Sequence, residues 1–200
     1  MNRVDTDALT ELFNIGLHRA AASLSELTNQ RVQVDLPRLW VCPLRDLKTA
    51  LAQMVDGDLA TVHQIFGGAV GGDAVLLLEY DKAALLASVL TYGQVAAGGH
   101  IDNSAREVLS EVGNIVLGAC LSAFGNMLKV TVSFSVPRIH IESLDGLLKS
   151  LMVESEDVQY AMVATTRFRL SQHEVGGYLI VVIGLNSLQR VTQMLQEQVS

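Results

Sequence analysis

The chain has 200 residues, half of them hydrophobic and only 18% charged, with a net charge of −7. A pI near 5.1 and the lack of any Lys/Arg cluster exclude the basic surface that nucleic acid demands. The composition supports one ordinary domain, residues 1–200, or two tightly fused halves, with ample apolar material for a core and no low-complexity stretch.

In chain order, apolar residues spaced by three and four predict a helix over residues 5–28, with Asp5 or Thr6 as its N-cap. Arg31 to Leu36 alternates polar and apolar, which predicts a strand. Pro37 lies in or at the end of it, which puts the strand at an edge or a bulge, and Leu39-Trp40-Val41 extends it. A short helix is expected over Leu44 to Met54, a turn at Asp56-Gly57-Asp58 and a strand over Ala60 to Phe66. The glycine-rich Gly67 to Gly72 lacks the Lys-Ser/Thr of a phosphate loop and no helix follows it, so it reads as a hairpin turn. Asp73 to Tyr80 is a buried strand and 81–92 a helix; Gly93 to Gly99 is the natural boundary between halves of about 1–95 and 100–200.

The second half repeats the order. A helix is expected from Asp102 to Leu128, a strand from Val130 to Ile141 containing Pro137, and a short helix from Leu144 to Leu151. A polar turn at 154–157 precedes a strand pair, Gln159 to Arg169 and Gly177 to Ile183, and Asn186 or Ser187 caps a last helix that ends near Gln198. The expected fold is α+β: an internally duplicated, pseudo-two-fold antiparallel β-sheet, about three strands per half, with two long surface helices.

The chemistry concentrates on those helices. Asp7, Glu11, Asn14 and His18 are spaced i, i+4, i+7, i+11 and form one polar stripe. Glu107, Glu111 and Asn114 repeat it 100 residues later. In both copies 22 residues separate the Asn from a proline, Pro37 and Pro137, in a chain with three prolines. Asn is a poor residue for an exposed helix centre, so its recurrence in one register argues for use. A carboxamide carries a donor and an acceptor on one rigid group, which suits orienting a water; a carboxylate one turn earlier can grip a partner's cation.

This doubled pattern, acidic-x3-Glu-x2-Asn-x22-Pro, resembles the CheC family of chemotaxis phosphatases (CheC, CheX, FliY), and the two-site CheC pattern in particular. The residues after each Asn also resemble it: Asn14-Ile15-Gly16 with Ala20-Ala21-Ala22-Ser23, and Asn114-Ile115-Val116-Leu117-Gly118. The resemblance implies a phosphatase for the aspartyl phosphate of a CheY-like receiver domain. Asn14 and Asn114 would orient the attacking water, and Glu11 and Glu111 would pair with a receiver lysine. Asp7 and Glu107 would support that contact, while Pro37 and Pro137 would be architectural. No cofactor of its own is implied; Mg²⁺ is expected on the receiver partner. CheD is a further partner the resemblance implies, and a non-catalytic docking module for a receiver or CheD is the alternative reading. Two departures stand out. Phe13 replaces the usual Gly before the Asn and is expected to crowd the first site, and Glu107 lengthens the arm of the usual Asp or Ser.

Cys42 and Cys120 are expected to be reduced and packed, and no Cys/His group has metal-ligand spacing. The N-terminus lacks a signal-peptide pattern, and the apolar runs Ala74–Leu78 and Tyr178–Ile183 are too short to span a bilayer, so a cytoplasmic protein with no membrane insertion is expected. A duplicated two-site chain has less need to dimerise than a single-site CheX-like one, so a monomer is expected.

Overall fold

A computed structural model describes residues 3–96, 98–152, 159–170 and 172–199. The turn expected at 154–157 lies outside them. Helix α1 (Arg3–Thr28) leads into β1 (Val32–Val34) and β2 (Leu39–Pro43). After a 3₁₀ turn come α2 (Leu47–Leu51), the hairpin β3 (Leu59–Gly68) and β4 (Gly72–Glu79), and α3 (Tyr80–Leu90). The second half repeats this as α4 (Asn103–Met127), β5 (Val132–Phe134), β6 (Arg138–Glu142), α5 (Leu144–Leu151), β7 (Gln159–Leu170), β8 (His173–Gly184) and α6 (Leu185–Val199).

The strands form an antiparallel sheet in the order β1-β7-β8-β4-β3-β5, with β2 also on β7 and β6 also on β3. The halves are therefore exchanged. The short strands of the first half pair with β7 of the second, and those of the second pair with β3 of the first. β4 and β8 meet at the centre, with Val75 opposite Ile180. Each central strand is buried on both faces, so its sequence reads as a continuous apolar run. Ala74, Leu76 and Leu78 join Leu179, Val181 and Ile183 under the long helices. Val75, Leu77, Ile180 and Val182 pack on the opposite face with Leu47, Leu51, Leu147 and Leu151 of α2 and α5.

The α+β architecture agrees with the sequence reading, with four details corrected. Among the described residues the sheet has eight strands rather than about three per half, because Pro37 and Pro137 each split one expected strand in two. α1 begins at Arg3, so Thr6 lies inside the helix rather than capping it, and so does the backbone of Asp5. α6 begins at Leu185, directly after β8, which leaves Asn186 and Ser187 inside its first turn. α4 is long and apolar enough, by length and composition, to cross a membrane. The expectation of no such segment rested on unbroken apolar runs, which the polar stripe interrupts once a turn. Here the apolar side of α4 is packed in the core, with Leu109, Val116, Leu117 and Leu121 buried. At its start Asp102 accepts a hydrogen bond from the Ala105 amide at 2.8 Å.

α1 and α4 lie side by side on one face. They approach so closely that a Cβ on Gly16 would stand 2.6 Å from Cys120 Cα. Both cysteines are free, Cys42 half-buried and Cys120 buried.

Candidate functional site

Each proline bends the chain away from its neighbour strand, and the bend is built alike in both halves. In the first, Asp35 N–H donates to Arg167 O (3.2 Å), and Arg38 N–H donates to Thr165 Oγ1 (2.9 Å). Leu36 and Pro37 thus arch over Thr166. In the second, Ser135 N–H donates to Ile65 O and Ile65 N–H to Ser135 Oγ, both at 2.9 Å, and pairing resumes at Arg138 opposite His63. Val136 and Pro137 thus arch over Gln64, whose Nε2 donates to Ser135 O at 3.0 Å. Proline suits the arch because it has no N–H to leave unpaired. Beneath each arch sits a buried polar side chain with an unpartnered oxygen, Thr166 Oγ1 and Gln64 Oε1.

The second arch and the start of α4 enclose a cleft of about 450 Å³ lined by Arg106, Glu107, Ser110, Glu111, Asn114, Val136, Pro137 and Ile139. The 22-residue spacing thus has a tertiary meaning at this site: it is the length of chain that leaves the helix, enters β5 and returns opposite Asn114. Glu107, Glu111 and Asn114 are all exposed along one stripe. Gly113 lets the helix come this close. A Cβ there would fall 2.4 Å from Val62 Cγ1, and Val62 pairs with Ile139, a wall of the cleft.

The first stripe differs. Asp7 and Glu11 are exposed, but Asn14 is partly buried. Its Nδ2 donates to Glu11 Oε2 at 3.4 Å, and its Oδ1 is buried without a partner. Pro37 is buried too. Phe13 does not crowd this site as expected. It is 1% exposed and part of the core, because the position before the Asn faces the sheet. Where the second half sets Gly113 on the helix and Val62 in the sheet, the first carries Phe13 and, at the register position matching Val62, Ala164 opposite Leu39. Bulk has been traded between helix and sheet. His18 is exposed.

Gln64, Ser135 and Val136 went unnoticed in the sequence. They sit by the cleft only through pairing of β3 with β5 and β6, a contact across some 70 residues that no local pattern announces. Among the described residues no group of three or more His, Cys, Asp or Glu side chains is placed to hold a metal ion.

The fold and this arrangement define a class: an internally duplicated α+β domain whose two long helices each present a Glu-x2-Asn stripe near a proline-arched strand. No protein-family model matches the chain. It is 25% identical to CheC1 of Halobacterium salinarum over 157 residues, 78% of this chain and 77% of that protein. It is 21% identical to the CheY-P phosphatase CheC of Bacillus subtilis over 193 residues, 92% and 90% of the two chains. The flagellar motor switch phosphatase FliY of the same bacterium is 23% identical over 145 residues, 70% of this chain but 36% of FliY. Among solved structures, FliY of Thermotoga maritima shares the fold with a TM-score of 0.78 at 17% identity, covering 98% of both chains. The FliM middle domain of Vibrio alginolyticus does so at 0.65 and 13%, covering 93% and 99%. The chain is thus a homologue of the CheC and FliY chemotaxis phosphatases, with no single subtype singled out.

Proposed function

We propose that this chain hydrolyses the aspartyl phosphate of a CheY-like response-regulator receiver, chiefly at the second stripe. The observation that carries the reading is the open cleft joining Glu111 and Asn114 to the Pro137 arch, in a homologue of chemotaxis phosphatases. Phosphoryl transfer needs position and charge more than covalent chemistry. Asn114 would hold a water in line with the phosphorus of the partner's acyl phosphate. The water oxygen bonds to phosphorus as the bond to the aspartate oxygen breaks, releasing inorganic phosphate and a free carboxylate. Fixing that water removes much of the entropic barrier. Glu111 would pair with a lysine of the receiver and set the register, and Glu107 would add charge on the same line. The Mg²⁺ would be the receiver's own, and the setting is the cytoplasmic face of chemotaxis signalling.

The first stripe supports a second role for its half of the molecule. An Asn whose amide is already held by Glu11 and whose oxygen is buried is less available to orient a water. Asp7 and Glu11 there would serve docking, of the receiver or of a CheD-type partner, more than turnover.

The test is decay of a ³²P-labelled, Mg²⁺-loaded phospho-receiver with wild type, Asn14→Ala, Asn114→Ala and the double variant. Asn114→Ala should lose most of the acceleration, on the order of 10²-fold, and Asn14→Ala much less. Full activity in the double variant would remove the assignment. Binding without acceleration by the wild type would favour the docking role for both halves.

A further inference from the structure

The two arches each expose one large apolar residue just before the proline: Leu36 at 68% and Val136 at 82% exposure. Single exposed apolar side chains are ordinary. Val136, however, is a wall of the cleft that holds Glu111 and Asn114. Phe134, 42% exposed, pairs with the buried Phe66 of β3 and does not line that cleft. Leu36 opens elsewhere, onto a cleft with Asp35, Arg38, Thr165 and Arg167.

The second site thus offers an apolar shelf, Val136, beside an acidic stripe, Glu107 and Glu111. A receiver surface that fits both presents an apolar side chain beside a cation. The Ser135 and Gln64 hydrogen bonds hold the arch firm, so the shelf is formed before any partner arrives. We infer that Val136 is the apolar anchor that docks the phospho-receiver at the second site and sets which receivers are accepted. This rests on the reading of that site as a receiver phosphatase. The occupant is the receiver because its cation must meet Glu111 for Asn114 to reach the acyl phosphate, and the shelf is continuous with both.

The test uses an Asn14→Ala background, so that the second site alone reports. Val136→Asp should raise KM for the phospho-receiver about tenfold with kcat within twofold, and Val136→Ser should do so less. Val136→Leu should restore KM, which a merely structural role would not require. Leu36→Asp should leave KM within twofold. KM unchanged in Val136→Asp, with the parent active, overturns the anchor. Where the parent shows no turnover the phosphatase reading fails separately, and binding of a beryllofluoride-loaded, Mg²⁺-bound receiver decides the anchor. Loss of binding in Val136→Asp supports it, and equal binding, or none by the parent, overturns it.

Discussion

Replacing Gly113 by alanine should be destabilising, against the usual sign for a helix interior. In an unconstrained helix the change gains about 1 kcal/mol. Here the added methyl would lie 2.4 Å from Val62 Cγ1, 2.7 Å from its Cβ and 3.0 Å from Cγ2. Valine is stiff at χ1, and its backbone is fixed between β4 and β6 through Leu76 and Ile139. The clash is relieved only by lifting α4 off the sheet, and such overpacking costs roughly 1–3 kcal/mol. With three Val62 atoms at 3.0 Å or less, the cost falls in the upper part of that range, about 2–3 kcal/mol; less the helix gain, the net loss is about 1–2 kcal/mol, read as a Tm lower by roughly 2–8 °C for a chain of this size. Because the lifted segment carries Glu111 and Asn114, receiver dephosphorylation should fall with it. Val62→Ala alone should cost about 2 kcal/mol. The double variant should be more stable than the sum of the two, by at least about 1 kcal/mol of coupling, since it approaches the large-on-helix, small-on-sheet arrangement of Phe13 and Ala164. Urea melts of the four proteins measure this. A Gly113→Ala protein as stable as the parent, or strictly additive variants, would refute the reasoning.

Gly16→Ala should be worse, costing about 3 kcal/mol or more, because its methyl meets the main chain of Cys120 at 2.6 Å rather than a side chain. Burial pushes the Cys120 thiol up to about 12, so it should resist alkylation in the native protein and label faster in this variant; unchanged melting and labelling would count against the contact. Stability should also depend on pH through His63. Burial holds its imidazole below the ordinary value; the Glu142 carboxylate at 3.2 Å and Asp73 pull the other way without prevailing, and His140 adds to the lowering. Between that lowered value and about 6.5 the unfolded chain binds the extra proton, so stability falls as pH drops through this window and is recovered above it. His63→Gln should flatten the dependence of Tm on pH between about 5 and 7, and an unchanged slope would show that other groups control it.

The order of elements, the duplication and the two stripes were legible in the sequence because each rests on local periodicity. Leu9, Leu12 and Leu17 fall on one helix face whatever the helix packs against, and Glu11 and Asn14 must then share another. Pro37 and Pro137 announced breaks, since a missing N–H cannot serve a ladder wherever the strand lies. What each break faces was not local. The β1–β7 and β3–β6 pairings exchange strands between halves, and only they bring Gln64 under Pro137 and Thr166 under Pro37. Phe13 shows the same limit: beside the Asn in sequence it looked like part of the site, yet a helix turns 100° per residue, and that turn carries the ring into the core. The difference between the stripes is wholly tertiary. Both carry Glu-x2-Asn-x22-Pro, but the surroundings that the fold brings to each helix differ: Asn114 opens on a cleft, while Asn14 has its oxygen buried and its amide on Glu11, and no local pattern records what packs against a side chain.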